Sequence, residues 1–248
     1  MKIAVISVSP TRLSEFTTKN RIESQFDVFG VNGKALSADV YFRVGVAKKA
    51  VPLSPSEVGC SLSHLDAMRA FLNSDARYLC VLEDDVEFVD ASTFNSINDA
   101  WLDGVVESKG PVLLHFGGQE GLPGQWKIHG AKIAAPNVDV WRMALPSLRW
   151  LWRTCGYIVN REMAKLVISS QEADLTLADS WKVFTKDVTP NVYYAKLVNH
   201  PLDLAHSAIE AERRQILSEK KLKTYVSKFL GLLIFIGLRL SPRIQKIH

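Results

Sequence analysis

The sequence predicts an α/β fold in which strands and helices alternate along the chain. Short apolar segments of strand length recur between longer segments with helical patterning, and several of them end at Pro, Gly or acidic residues. This alternation is typical of layered folds in which helices pack on a sheet. The 248 residues, 47% of them apolar, are enough for one core and do not require two domains.

Apolar segments predict six strands. The first ends at Ser9-Pro10, the second at the Asn32-Gly33 turn, the third at an acidic triplet and the fourth at Gly117-Gly118. The fifth and sixth are apolar and aromatic segments in the second half of the chain. We place the six strands at residues 3–8, 26–31, 77–82, 111–116, 150–159 and 192–198.

The helices between these strands differ in how strongly the sequence marks them. The clearest begins at Ser54, which can cap it, with Pro55 at the first helical position and Glu57 completing a capping box. Gly59 and Ser63 follow with Ala67 at four-residue spacing, so one face is small enough for close packing. Helices are predicted at residues 12–25, 54–73, 92–106 and 161–170, with a short segment at 179–184 and a long Gly- and Pro-rich loop at 120–137.

Charge and cysteine content exclude several classes of protein. The net charge of +4 is too small to indicate nucleic-acid binding, and we expect no nucleic-acid partner. Three cysteines without paired spacing predict no disulfide framework and no zinc site. The apolar segment at the start is too short for a signal peptide, so we expect a cytoplasmic protein.

The third strand carries the strongest functional signal, because it delivers Glu83, Asp84 and Asp85 at its end. Three adjacent carboxylates repel one another, and a divalent cation removes that repulsion. Ligands of open α/β sheets bind beyond the carboxyl ends of the strands, and Mg²⁺ and Mn²⁺ prefer oxygen ligands. In extended geometry Glu83 and Asp85 would point the same way. Asp85 would then bind the metal, and Glu83 would bind it directly, through water, or hold the ribose. A solvated acidic turn is the alternative.

Several segments together resemble glycosyltransferase family 25, the family of lipooligosaccharide galactosyltransferases and their collagen-modifying relatives. The segments are the opening strand with Arg12, residues 31–34 (VNGK), 53–64 (LSPSEVGCSLSH), 82–86 (LEDDV) and 155–161 (CGYIVNR). The resemblance covers roughly the first two hundred residues. It implies a GT-A type fold, a Rossmann-like mixed sheet flanked by helices that binds a nucleotide sugar. The donor half would span about residues 1–118 and the acceptor half about 119–218.

The resemblance also implies inverting transfer from a nucleoside-diphosphate sugar, most simply galactose from UDP-galactose, to a saccharide or lipid-linked acceptor of lipooligosaccharide, with Mn²⁺ or Mg²⁺. It implies donor contacts at Ser7, Arg12, Asn32, Gly59, Ser63, His64, Glu83 and Asp84, and a late histidine, His206, beside Glu83 and Asp85 at the metal. Arg12 and Asn32 could equally be ordinary surface and turn residues, and His64 and His206 ordinary structural ones.

An inverting transfer needs a carboxylate that removes the proton of the acceptor hydroxyl. Asp179 is our candidate, because the neighbouring Trp181 would suit the C–H face of a sugar. Capping of a helix that begins at Ser180 is the alternative role of Asp179. Asp187, Asp203 and Glu120 are rival bases. Four tryptophans of the second half, most of them expected in the core, could include an acceptor platform: Trp141, Trp150, Trp152 and Trp181.

The last thirty residues, 219–248, differ from the rest in charge and apolar content. From Glu219 onward there are seven basic residues and one acid, and residues 229–238 are apolar on all sides. This apolar segment is shorter than the roughly 20 residues that span a bilayer. We expect a helix on the inner surface of the cytoplasmic membrane, and a helix buried against the body or a partner subunit is the alternative.

Two other functions fit the acidic strand end. A metal-dependent nucleotidyltransferase or phosphohydrolase would use the same carboxylates without a sugar acceptor. A non-catalytic, membrane-docked binding module could keep the fold and lose the chemistry.

Overall fold

Ten strands in one mixed sheet form the centre of the fold in the computed structural model, which describes residues 1–107, 109–122, 124–201 and 212 and the backbone of 245–246. The strands are β1 (Lys2–Ile6), β2 (Asp27–Phe29), β3 (Tyr78–Glu83), β4 (Glu87–Phe88), β5 (Val112–Gly117), β6 (His129–Ile133), β7 (Val140–Met143), β8 (Gly156–Asn160), β9 (Asn191–Asn199) and β10 (Gln245–Lys246).

Helices cover both faces of this sheet. They are α1 (Pro10–Asn20), α2 (Ala38–Tyr41), α3 (Pro55–Leu72), α4 (Ala91–Ser96), α5 (Asp99–Val105), α6 (Arg161–Ala173) and α7 (Trp181–Phe184). One apolar cluster packs α3, α6 and α7 on one face, and a second packs α1, α4 and α5 on the other. The predicted α/β fold is confirmed, and its mixed sheet between helices is consistent with the GT-A type.

Strand direction determines where the loops meet. The order is β10-β6-β7-β9-β5-β8-β3-β1-β2, with β4 beside β9. β1, β2 and β3 are parallel, and β8 runs antiparallel to both β3 and β5. β9 is parallel to β5. The carboxyl ends of β1, β3, β5 and β9 therefore share one edge of the sheet with the segment that leads into β8.

The predicted capping box at the start of α3 is present. The Ser54 hydroxyl accepts a hydrogen bond from the Glu57 backbone N–H at 3.2 Å, and the Glu57 carboxylate accepts one from the Ser54 N–H at 2.7 Å. The helix ends at Leu72, one residue before the predicted end. This helix start is thus fixed by local chemistry that the sequence alone displays.

The small face of α3 lies against the turn after β2. A Cβ atom on Gly59 would come within 2.5 Å of the Val31 carbonyl oxygen and 2.7 Å of the Gly33 nitrogen. The Ser63 hydroxyl accepts a hydrogen bond from the Val31 N–H at 2.8 Å. The predicted close packing is therefore confirmed, and the small face contacts Val31 and Gly33.

We expect Gly59→Ala to lower the free energy of unfolding by about 2 kcal/mol, because the new methyl group meets backbone atoms that cannot rotate away. Gly104→Ala is the matched control, since a Cβ at this helical position has nothing within 4 Å. The control should be neutral or stabilising by up to about 1 kcal/mol. Urea unfolding of both variants measures the difference, and equal effects would contradict the close contact.

Three sequence predictions were wrong in detail. The region predicted as a loop at 120–137 contains β6, and β7 follows it without having been predicted. Residues 92–106 form two helices, because Asn98 caps a second helix after Ile97 leaves the helical conformation. The strand predicted at 150–159 begins only at Gly156, because a 3₁₀ helix, Leu145–Trp150, includes its first predicted residue and residues 151–155 belong to no helix or strand.

The predicted tail at 219–248 lies outside the described residues except for the backbone of Gln245 and Lys246. These two form β10, an antiparallel addition to β6 at the edge of the sheet. His206 and Asp203 also lie outside the described residues. Among the residues that the structure describes, no helix has the length and hydropathy needed to span a bilayer.

Candidate active site

The acidic triplet lies at the shared edge of the sheet, as predicted. Glu83 is the last residue of β3, and Asp84 and Asp85 form the turn after it. The extended backbone therefore ends at Glu83, and the strand alternation assumed for Glu83 and Asp85 does not apply across the turn. The three carboxylates instead have different sets of partners, with Arg12 shared by Asp84 and Asp85.

Asp84 is held by Ser7, which follows β1, and by Arg12 in α1. The Ser7 hydroxyl donates a hydrogen bond to its Oδ2 at 2.6 Å, and the Arg12 guanidinium forms an ion pair with its Oδ1. Burial raises the pKa of Asp84, as do the charges of Asp85 and Glu83, while Ser7 and Arg12 oppose the rise. Ser7 and Arg12 thus position Asp84, and a donor contact for any of these three residues stays a prediction.

Asp85 lies between Arg12 and His200, which immediately follows β9. Its Oδ2 is 3.2 Å from the Arg12 Nη2 and 3.6 Å from the His200 Nε2. Its Oδ1 is buried and has no hydrogen-bond partner within the described part of the chain. Burial would raise the pKa of Asp85, but the hydrogen bond and charge of His200 and the charge of Arg12 lower it. Burial would lower the pKa of His200, but Asp85 raises it.

His200 is the residue that the sequence analysis missed. It follows Asn199, the last residue of β9, so the same strand-end rule that selected the acidic triplet would have selected it. The prediction placed the late metal-binding histidine at His206, outside the described residues. The described part of the chain brings His200 to Asp85 instead.

Asp85 and His200 fit a divalent cation. The Nδ1–H of His200 donates to the Pro201 carbonyl at 2.9 Å, which leaves the Nε2 lone pair facing Asp85. A carboxylate and an imidazole together suit Mn²⁺, and the partnerless Oδ1 of Asp85 is the kind of buried atom that a cation would satisfy. These two residues would hold the ion.

Glu83 turns toward α3. Its Oε1 accepts a hydrogen bond from the Thr154 hydroxyl and lies 3.4 Å from the His64 Nε2. The other nitrogen of His64, Nδ1, is 2.8 Å from the Tyr157 hydroxyl. His64 is therefore placed beside the acidic triplet through a contact with Glu83, and its donor contact stays a prediction.

Asp179 lies at the same edge, next to the segment that leads into β8. Its Oδ2 accepts a hydrogen bond from the Arg153 N–H at 2.8 Å. Arg153 has a left-handed backbone, φ 64°, and its guanidinium donates to the Gly118 carbonyl. The helix after Asp179 is capped by Ser180 without a side-chain hydrogen bond, so the predicted alternative role of Asp179 as its cap is wrong.

The rival bases differ in position. Glu120 follows the Gly117-Gly118 turn and pairs with Lys196 at 2.9 Å. Its Oε2 is buried and has no hydrogen-bond partner in the regions that the structure describes. The side chain of Asp187 is 83% exposed, and it lies 3.9 Å from the Lys186 ammonium. A carboxylate as exposed as that of Asp187 cannot enclose an acceptor hydroxyl, so Glu120 is the stronger rival to Asp179 as the base.

Three of the predicted donor contacts have packing or turn roles. The Asn32 side chain accepts a hydrogen bond from the Lys34 N–H at 3.1 Å and caps a short 3₁₀ turn. Gly59 and Ser63 form the close contact between α3 and the Gly33 turn. A donor contact for these three residues stays a prediction.

The tryptophans of the second half separate by exposure. Trp150 and Trp181 are buried, and the indole Nε1 of Trp181 finds no hydrogen-bond partner in the described portion of the chain. Trp152 is 42% exposed, and its backbone exchanges hydrogen bonds with the Gln119 side chain. Because Trp152 precedes Arg153, it is the exposed aromatic nearest the site among these residues.

The first part of the chain matches a known protein family. Residues 2–110, which contain the acidic triplet, Arg12 and α3, match the model of glycosyltransferase family 25, described as LPS biosynthesis proteins. This segment belongs to glycosyltransferase family 25. The family 25 segment thus supplies Asp84 and Asp85, whereas His200 and Asp179 come from the rest of the chain.

A curated relative extends the likeness beyond that segment. The chain is 25% identical over 190 residues to the lipooligosaccharide biosynthesis protein lic2B of Haemophilus influenzae, covering 73% of this chain and 69% of the relative. The glycosyltransferase assignment therefore rests on both the family 25 segment and this longer match.

Solved structures give weaker matches. A197 from STIV has a TM-score of 0.40 at 15% identity, covering 82% of this chain and 87% of its own. Mannose-1-phosphate geranyltransferase from Thermus thermophilus has a TM-score of 0.30 at 14% identity, covering 57% and 50%. Inositol-1-phosphate CTP transferase from T. maritima has 0.35 at 9%, covering 89% and 78%. At TM-scores below 0.5 these likenesses carry no argument about this chain.

Proposed function

We propose that the chain is an inverting, metal-assisted glycosyltransferase of lipooligosaccharide biosynthesis that moves galactose from UDP-galactose to a saccharide acceptor. The observation that carries the proposal is the Asp85–His200 pair at the strand ends, where one buried oxygen of Asp85 has no partner among the described residues. Asp85 lies within the segment that matches family 25. The sugar is the part that the family resemblance supplies, and the metal site is the part that the geometry supports.

The donor diphosphate would lie at the edge formed by β1, β3 and β9. Asp85 and His200 would hold Mn²⁺ or Mg²⁺, which when bound neutralises charge on the leaving diphosphate. Arg12 is half-exposed and pairs with both Asp84 and Asp85, so its guanidinium can also reach a phosphate in the space outside them. Asp84, tied to Ser7 and Arg12, keeps that guanidinium in place.

The chemical step would need a base on the acceptor side of the sugar. The base removes the proton of the acceptor hydroxyl, the hydroxyl oxygen bonds to the anomeric carbon, and the bond from that carbon to the diphosphate breaks with inversion. Asp179 is proposed for this role, because its carboxylate is held by the Arg153 N–H at the same edge. The exposed Trp152 is proposed as a ring surface for the acceptor sugar.

Calorimetry with a panel of donors tests the proposal. UDP-galactose, UDP-glucose, UDP-N-acetylglucosamine and GDP-mannose are titrated into the full chain with and without Mn²⁺. We expect UDP-galactose to bind best. Its affinity should be at least about 10-fold higher with Mn²⁺, because such ions are bound jointly by one or two carboxylates and the substrate phosphates.

Two results would overturn the proposal. Failure of every nucleotide sugar to bind with Mn²⁺ would remove the donor site. Rapid hydrolysis of UDP-galactose that no lipooligosaccharide acceptor accelerates would instead indicate a phosphohydrolase with the same carboxylates.

A further inference from the structure

A second group of ligand-type atoms lies on the inner side of Glu83. The Cys60 Sγ, the His64 Nε2 and a carboxylate oxygen of Glu83 all lie within 4.8 Å of one another. Cys60 and His64 are four residues apart on α3, so both face the end of β3. The three atoms thus surround one point between the helix and the sheet.

His64 supplies the observation that a ligand is missing from this point. Its side chain is buried, with 3% of the residue exposed, yet its Nε2 has no hydrogen-bond partner among the residues that the structure describes. A buried polar atom left unsatisfied costs about 1–3 kcal/mol. The ring cannot turn to relieve this cost without losing the 2.8 Å contact of its Nδ1 with the Tyr157 hydroxyl. The Nε2 is therefore held toward Glu83 and Cys60.

The spacing matches tetrahedral coordination. Metal–ligand distances of about 2.0–2.3 Å place neighbouring ligand atoms roughly 3.3–3.8 Å apart in a tetrahedron. The His64 Nε2 and the Glu83 Oε1 are 3.4 Å apart, which lies inside this interval. The Cys60 sulfur needs a shift of at most about 1 Å, which a small rotation about its χ1 angle provides. Cys60 is partly exposed, so an ion can reach it.

We propose that Cys60, His64 and Glu83 form a binding site for a borderline-soft divalent cation of the Zn²⁺ class. Cysteine sulfur, imidazole nitrogen and carboxylate oxygen are each Zn²⁺ ligands, and three protein ligands with an open fourth position is the count found in catalytic Zn²⁺ sites. Mn²⁺ and Mg²⁺ prefer oxygen ligands and would stay with Asp85. The earlier expectation of no zinc site considered cysteine spacing alone, and a helix–strand contact can supply what spacing does not show.

Outer contacts also fit such a site. The Tyr157 hydroxyl lies 2.8 Å from the His64 Nδ1 and can accept its hydrogen in the tautomer that leaves the Nε2 lone pair for an ion. The Thr154 hydroxyl donates to the Glu83 Oε1 and orients the carboxylate. Both supporting residues are buried or nearly so, and ligands held in this way lose little freedom when the ion binds.

Cobalt titration tests this site independently of sugar transfer. Co²⁺ is added to the full-length protein without Mn²⁺ or nucleotide, and its absorption is recorded. We expect one Co²⁺ per chain with an intense thiolate-to-metal charge-transfer band and the visible bands of four-coordinate cobalt. Zn²⁺ should displace it and raise the Tm. Cys60→Ser should abolish the charge-transfer band and weaken Zn²⁺ binding at least about 10-fold.

Cys80→Ala is the matched control, because this thiol is fully buried within β3 and not part of the group. It should keep the cobalt band. Absence of any thiolate band in the wild type, or a band that survives in Cys60→Ser and disappears in Cys155→Ala, would overturn the assignment. The Cys60→Ser protein should still melt cooperatively, but Zn²⁺ should no longer raise its Tm. This combination shows that the variant has lost a metal ligand and has kept its fold.

Discussion

Replacing Asp85 by Asn should reduce sugar transfer by about 10³-fold, the scale seen when one group that stabilises developing charge is removed. The amide keeps the shape of the side chain but removes the negative charge that, with His200, would hold the cation. The same variant should lose the Mn²⁺-dependent gain in donor affinity. Initial rates with UDP-galactose and calorimetry with and without Mn²⁺ measure the two effects.

Glu87→Gln is the control for Asp85→Asn. Glu87 lies two residues later and is half-exposed, and the contact recorded for its carboxylate is an ion pair with Lys19. Its replacement should leave transfer within about twofold, since surface ion pairs contribute little. His200→Gln should share the loss of Mn²⁺ dependence. An Asp85→Asn protein that keeps full Mn²⁺ dependence would show that the metal is bound elsewhere.

The parts of the fold that the sequence predicted are those that local chemistry specifies. The start of α3 follows from Ser54, Pro55 and Glu57, which lie within four residues of one another. The strand end at Glu83 follows from an apolar segment and the position of its acids. In both places the structure depends on residues that are close together along the chain, so a single sequence is enough to predict it.

The parts that the sequence missed depend on distant contacts. β6 and β7 lack a regular alternation of buried and exposed residues, and they are strands because they pair with each other and β7 pairs with β9. The Ser7–Asp84 hydrogen bond joins residues 77 positions apart. No local pattern reports such pairing, since β propensity depends strongly on the tertiary context.

The candidate site shows the same division. The acidic triplet was found from the strand that carries it, whereas the choice among histidines required knowing which strands are neighbours. β9 runs parallel to β5, so its end brings His200 to the edge where Asp85 lies. The order of strands across the sheet is a non-local property, and the sequence could not supply it.

A different histidine, His115, should make the stability of the fold strongly dependent on pH. It is fully buried in β5, its Nε2–H donates to the Arg153 carbonyl at 3.0 Å, and its Nδ1 accepts from the Gly117 N–H at 3.2 Å. The neutral ring therefore satisfies both contacts, and protonation of Nδ1 would set two donors against each other.

Burial lowers the pKa of His115 to about 4, although the Arg153 carbonyl and the charge of Glu83 oppose the change. In the unfolded chain the ordinary value is about 6.5, so between pH 6.5 and 4 the unfolded state binds the extra proton. The contribution of the neutral ring is thus complete above pH 6.5, falls as the pH decreases, and is lost by about pH 4. The difference in pKa corresponds to roughly 3 kcal/mol.

Urea unfolding at pH 7.5 and pH 4.5 measures this contribution, with His115→Gln as the comparison. Gln can donate from the position of Nε2 but does not titrate, so the variant should be less stable at pH 7.5 and lose less stability on acidification. Carboxylates elsewhere titrate alike in both proteins, and the difference between the two pH responses isolates the histidine. If both proteins lose the same stability between pH 7.5 and pH 4.5, His115 takes up its proton in the folded state. That result would contradict the assignment of one ring nitrogen as donor and the other as acceptor.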